Sequence, residues 1–117
     1  MELESFRAFC LGLKGATEEF PFGENTAVFK VAGKMFAATD VTAFESVNLK
    51  CDPELAVELR ERYPAVEPGY HMNKKHWNTV RTDGSVPDKL LLSWTEASYN
   101  LVVTGLPKSN KSKIKSL

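Results

Sequence analysis

The stretch that most constrains how this chain can fold is Thr26–Val31, the pair Ala32 and Gly33, and Lys34–Thr39. Val28, Phe29 and Val31 on one arm, and Met35 and Phe36 on the other, suit a pleated, half-buried surface, and a two-residue link ending in glycine is what a tight antiparallel hairpin needs. Ser46–Lys50 then alternates, with Val47 and Leu49 on one side and Ser46, Asn48 and Lys50 on the other, as a half-buried third strand does. Asp40–Glu45 supplies the turn before it. Trp77–Thr82, bounded by Asp83 and Gly84, reads as a fourth strand.

Three helices surround these strands. Leu3, Phe6, Phe9, Cys10 and Leu13 recur at spacings of three and four, which predicts an amphipathic helix ending near Lys14 and Gly15. Asp52 before Pro53 is an acidic N-cap followed by proline at the first helical position, where the missing N–H costs nothing. That helix shows Ala56, Leu59 and Tyr63 on one face and stops at Pro64, with Glu58 and Arg62 paired on another face. Ser85–Asp88 opens a last helix carrying Leu90, Trp94, Ala97 and Leu101. A break is expected around Ser93, because Leu90–Trp94 is apolar on too many sides for a single-faced helix. Gly105 and Pro107 end it.

Proline and glycine make Ala16–Asn25 a loop folded back on the domain through Phe20 and Phe22. From Lys108 onward there is little to bury and four lysines, which predicts a flexible basic tail. The expected organisation is a single domain over residues 1–107 and a tail over 108–117. The expected order is α-β-β-β-α-β-α, an α+β fold in which helices pack on an antiparallel sheet. A length of 117 residues with 43% hydrophobic content suffices for one core and not for two domains.

The formal net charge is zero, but the halves differ in sign. Residues 1–68 hold twelve acids against seven bases, and residues 69–117 hold three acids against eight. A nucleic-acid partner needs a local positive face rather than a basic whole, so this asymmetry permits one. No apolar run reaches membrane-spanning length and the opening Met1–Ser5 is acidic, so the expectation is a soluble, cytoplasmic protein without a membrane partner. Cys10 and Cys51 belong to no paired motif and are expected as reduced, partly buried thiols.

Pro68–Arg81 concentrates both histidines, Trp77, and a knot of amides and cations. In one reading it contacts DNA: Lys74, Lys75 and Arg81 meet phosphates, Tyr70, His71, His76 and Trp77 offer flat surfaces, and Asn73 and Asn78 supply hydrogen bonds. In a second, Tyr70, His71, His76 and Trp77 line a pocket for a small aromatic or anionic ligand. In a third the motif is structural: Trp77 fills the core, Asn73 and Asn78 bond to a turn, and the lysines face water.

His71 and His76 stand five apart, facing no common ligand on a strand or helix, so no metal site is expected. The chain has no nucleophile elbow, phosphate loop or dinucleotide fingerprint, so no catalytic residue and no cofactor is assigned. The sequence sets no oligomeric state.

Several segments, taken in order, carry a resemblance: Phe20–Gly23, Val28–Ala37, Leu49–Glu54, Leu59–Pro64, Gly69–Thr79, Ser98–Val102 and Leu106–Lys108. Together they are similar to the MmcQ/YjbR family of small bacterial proteins. The resemblance implies a frataxin-like (CyaY-like) α+β fold and a non-catalytic protein described as binding DNA through a double-wing arrangement. Its most distinctive block falls on Tyr70–Asn78. It transfers no catalytic residue, and a frataxin-like architecture brings no iron site with it, because function lives in sites and not in folds.

Overall fold

The computed structural model describes residues 1–117 and shows an α+β domain. Its elements in chain order are α1 (Leu3–Gly12), β1 (Ala16–Glu19), β2 (Thr26–Val31), β3 (Lys34–Asp40), β4 (Ser46–Lys50) and α2 (Pro53–Arg62). β5 (Val66–Pro68), β6 (Trp77–Arg81), α3 (Asp88–Thr104) and α4 (Lys108–Lys115) follow. The six strands form one antiparallel sheet in the order β1-β2-β3-β4-β6-β5. No helix is long and apolar enough to cross a membrane.

The hairpin forms as its sequence predicts. Ala32 and Gly33 both have positive φ, 50° and 76°, the backbone of a type I′ turn, whose twist matches the strands it joins. Ala27, Phe29 and Val31 face the helices and are fully buried, as are Val47 and Leu49 of β4. Phe6 and Cys10 of α1 and Leu91, Tyr99 and Val102 of α3 complete the core. Phe6 meets Phe29 edge-to-face with centroids 5.9 Å apart, and Phe36 meets Tyr99 likewise at 5.4 Å, arrangements that suit the quadrupoles of the rings.

One irregularity lies at the centre of the sheet. Phe29 faces Ala37 but Lys30 faces Met35, so Phe36 is an extra residue in β3 and turns into the core. The buried Ser98 hydroxyl of α3 reaches this bulge, donating to the Phe36 carbonyl at 2.6 Å and accepting from the Lys50 amide at 2.8 Å. It ties α3 to two strands.

Four expectations are corrected. Ala16–Glu19, read as loop, is an edge strand whose residues are alternately half-buried and exposed; its Thr17 and Glu19 suit an edge, where charge discourages further pairing. Val66–Pro68 adds a short edge strand at the other side, and Pro68 is tolerated there because an outer edge needs no further donor. Helix α3 runs unbroken through Ser93. Its many apolar sides are all used, Leu91 in the core, Leu90 and Leu92 beside it, and Trp94 against Tyr63, the C-cap of α2, with centroids 5.2 Å apart.

The fourth concerns the tail, of which Lys108–Lys115 forms a helix. Its anchor is Ile114, which packs on the core. A Cβ placed on Gly15 would meet Leu117 at 3.2 Å and Ile114 at 3.7 Å, so the C-terminal residues lie directly on the α1–β1 turn.

Helices α1, α2 and α3 lie on one side of the sheet. On the other, Val28 pairs with Ala38 and Ala38 with Asn48. Val28 and Ala38 are buried there outside the main core.

Candidate functional site

Tyr70–His76 is the loop of the β5–β6 hairpin, and its backbone is held from three directions. Within the loop, Asn73 Oδ1 accepts from the Lys75 amide at 2.9 Å, and the Asn73 carbonyl accepts from the His76 and Trp77 amides, closing a tight turn. From α2, Arg60 Nε donates to Asn78 Oδ1 at 2.7 Å, while its Nη2 reaches the carbonyls of Lys74 and Trp77. Just beyond β4, the Cys51 amide donates to the His76 carbonyl at 2.8 Å. Gly69 packs so closely that a Cβ there would lie 2.8 Å from that of Trp77.

This bonding sorts the candidate residues. Asn78, 2% exposed, also donates to the Ala56 carbonyl at 3.3 Å, so it joins β6 to α2 from the interior and offers nothing to a surface partner. Arg81 donates to the Pro64 carbonyl at 3.0 Å and lies 3.7 Å from Glu67 and 3.8 Å from Asp83. Its charge is balanced locally. Lys74 Nζ donates to the Gly69 carbonyl at 3.0 Å. Lys75 is exposed with no side-chain partner. Trp77 and His76 are half-buried, with Trp77 opposite Lys50 in the β4–β6 pairing.

Tyr70 and His71 go elsewhere. His71 has a φ of 57°, the left-handed region that histidine enters more readily than bulkier or branched residues. The chain turns there, and the rings of Tyr70 and His71 lie with centroids 4.0 Å apart. The Tyr70 amide donates to Thr79 Oγ1 at 2.8 Å, and Thr79 in turn donates to Asn48 Oδ1. Tyr70, His71 and Met72 thereby form one lip of a groove of about 680 Å³ on the sheet face away from the helices.

The other lip is Phe22 and Asn25 from the loop between β1 and β2, and the remaining walls include Met35, Ala38, Asp40, Ser46 and Asn48. Phe22 is 75% and Tyr70 67% exposed. Large rings held in water beside a concave surface characterise binding sites more than cores. Polar atoms remain available between them. Asn48 Oδ1 is occupied by Thr79 and Asn25 Oδ1 by Thr42, which leaves both amide groups free to donate. Sequence reading found Tyr70 and His71 but missed Phe22, Asp40 and Asn48. The signal for Asn48 was its place on the polar side of an alternating strand, and for Phe22 a phenylalanine in a proline–glycine loop.

A second cavity of about 340 Å³ lies between α2 and α3 and is lined by Leu49, Cys51, Leu55, Trp94 and Leu101 among others. Most of its lining is apolar; the polar residues are Lys50, Asp52, Asn100, Thr104 and Asn78, whose amide is already bonded. Both cysteines are free. Burial pushes the Cys10 thiol up to about 12 and raises that of Cys51, so neither is an activated nucleophile. No group of three or more His, Cys, Asp or Glu side chains is placed to hold a metal ion.

The fold and its loops define a small α+β domain with a concave groove on its open sheet face. The chain belongs to the YjbR family, whose model matches residues 11–101. It is 33% identical to YjbR of Escherichia coli strain K12 over the full length of both chains. It is 38% identical to YbdF of Escherichia coli O157:H7, over 82% of this chain and 80% of that protein. Both relatives are described as uncharacterised proteins. Among solved structures, the DUF419-domain protein DR2400 of Deinococcus radiodurans superposes with a TM-score of 0.91 at 40% identity, covering 97% of this chain and 88% of that one. A Pseudomonas syringae protein matches with a TM-score of 0.73 at 27% identity, over 86% of this chain and 98% of that one.

Proposed function

We propose that this protein binds a small planar ligand in the groove between Phe22 and the Tyr70–Met72 lip. The carrying observation is that two exposed aromatic side chains from separate loops flank one concavity whose walls hold unpaired amide donors. Rings supply area at low entropic cost, and a few fixed polar groups set orientation. Of the four side chains first read as pocket-forming, Tyr70 and His71 line this groove, whereas His76 and Trp77 do not. No residue here calls for a catalytic role.

The test is a fragment screen of planar compounds followed by amide NMR shifts. Saturable shifts at Phe22, Asn25, Asn48 and Tyr70 that vanish in Phe22→Ala and Tyr70→Ala support the reading. Both side chains are exposed enough for truncation to leave the fold intact. Saturable shifts gathered instead around Cys51 and Trp94 would move the site to the α2–α3 cavity and overturn it.

A nucleic-acid contact by the same loop is the second reading, favoured by Lys74 and Lys75, which are both exposed and lack a carboxylate partner. It predicts duplex binding that weakens steeply with salt and is lost in the Lys74→Ala, Lys75→Ala double variant. Unchanged binding in that variant would remove this reading.

A further inference from the structure

We infer that the ligand of this groove is an organic cation, a planar ring bearing an ammonium or amidinium group; the inference rests on the groove being a ligand site. Asp40 supplies the only carboxylate among the lining side chains, and no lysine or arginine lines the groove. Its Oδ1 accepts from the Thr42 amide at 2.8 Å, and no cationic group of the chain lies within ion-pair distance of it. Glu24 and Glu45 adjoin the lining residues Asn25 and Ser46, and they too have no ion-pair partner.

Three of the cations nearby in the fold are engaged, and Lys34 and Lys75, which have no ion-pair partner, do not line the groove. Lys30 lies 3.4 Å from Glu19, Arg81 is held by Glu67, Asp83 and the Pro64 carbonyl, and Lys74 by the Gly69 carbonyl. His71 is the one titratable nitrogen group on the lip. Phe22 and Tyr70 line the same groove as Asp40, and the negative face of an aromatic ring attracts a cation. Carboxylate and rings therefore favour one sign of charge, opposite to the anionic ligand the sequence had allowed. The free amides of Asn25 and Asn48 ask in addition for an acceptor on the ligand.

Benzamidine, benzamide and benzoate share a skeleton and differ in charge, so they separate the terms. The intact protein is titrated with each at moderate salt and followed by the NMR signals of Phe22 and Tyr70. Benzamidine is expected to bind about tenfold more tightly than benzamide, the combined effect of an exposed ion pair and a cation–ring contact, with benzoate weakest. In Asp40→Asn, which keeps an oxygen for the Thr42 amide and hence the turn, most of this preference for benzamidine over benzamide disappears.

Equal binding of benzamidine and benzamide, tighter binding of benzoate, or a preference that survives Asp40→Asn overturns the charge assignment while the groove reading stands. If none of the three moves these signals at millimolar concentration, both readings fall.

Discussion

Replacing Arg60 with methionine keeps the stem of the side chain and removes the fork that holds the β5–β6 loop. Three acceptors lose a donor, but they do not lose equally. Trp77 O still accepts from the Gly69 amide at 2.9 Å, and Lys74 O sits in an exposed part of the loop where water replaces the guanidinium. Asn78 Oδ1 has neither recourse, because the residue is 2% exposed and Arg60 Nε at 2.7 Å is its donor. An orphaned buried acceptor costs about 1–3 kcal/mol, so a total loss of about 2–3 kcal/mol is expected. For a domain of this size that is a fall in Tm of about 10 °C. Urea unfolding should show a lower midpoint at constant slope, and the amides of Lys75, His76 and Trp77 should exchange faster than those of the β2–β3 hairpin. Arg60→Lys should recover little, since an ammonium cannot serve three divergent acceptors. A loss below about 0.5 kcal/mol, or equal exchange in both hairpins, would refute the account of Arg60 as the staple of this loop.

The remaining expectations concern the scaffold. Ala32→Asn should stabilise the protein by about 0.5–1 kcal/mol, because Ala32 has a φ of 50° that asparagine tolerates better; thermal melts check it, and a fall in Tm would contradict the turn assignment. Ser98→Ala should cost about 2–3 kcal/mol by depriving the Phe36 carbonyl and the Lys50 amide of their shared hydroxyl, visible as a lowered denaturation midpoint. Burial raises the Cys10 thiol from 9.0 to about 12, so between these values the folded chain holds a proton that the unfolded chain has released. Stability attributable to this group is complete below pH 9 and declines as pH rises toward 12, by about 1.4 kcal/mol per unit at most. Cys10→Ala should flatten that part of the stability profile, and an unchanged slope would assign it to other groups such as Tyr99, whose hydroxyl is also raised by burial.

What was legible in the sequence was what local chemistry decides. The I′ hairpin at Ala32 and Gly33, the Asp52 cap with its Leu55 amide bond, and the alternation of β4 each follow from residues within one turn or strand. What was not legible depends on distant partners. Thr17, Glu18 and Glu19 have no strand pattern of their own and become β1 because β2 offers an unpaired edge. Ile114 and Leu117 make a helix of a lysine-rich segment only because the α1–β1 turn at Gly15 gives them a surface. The Tyr70–Asn78 block was visible as a concentration of unusual side chains, but its division was not. Arg60, which decides which of those side chains are committed to the loop, lies on α2 and looks in sequence like one more solvated cation.

That division explains why one short segment invited both a structural and a functional reading. From Asn73 to Asn78 the backbone and the two asparagines are committed internally, with the Lys75 ammonium left over: the Asn73 side chain closes a turn, the carbonyls of Lys74, His76 and Trp77 accept from Arg60 and Cys51, and Asn78 crosses to α2. A hairpin loop with so many fixed points is rigid, and rigidity at its base is what permits Tyr70, His71 and Met72 to stand over the open sheet face without collapsing onto it. The left-handed turn at His71 carries a cost of order 1 kcal/mol, which only a well-anchored loop can sustain. The structural half of the motif therefore serves the exposed half. Mutations at Asn73 or Arg60 should accordingly weaken groove binding without touching the groove, whereas mutations at Tyr70 should weaken binding without changing stability. Measuring both quantities for both classes separates the two roles, and a Tyr70 variant that unfolds as readily as an Arg60 variant would show that they are not separable.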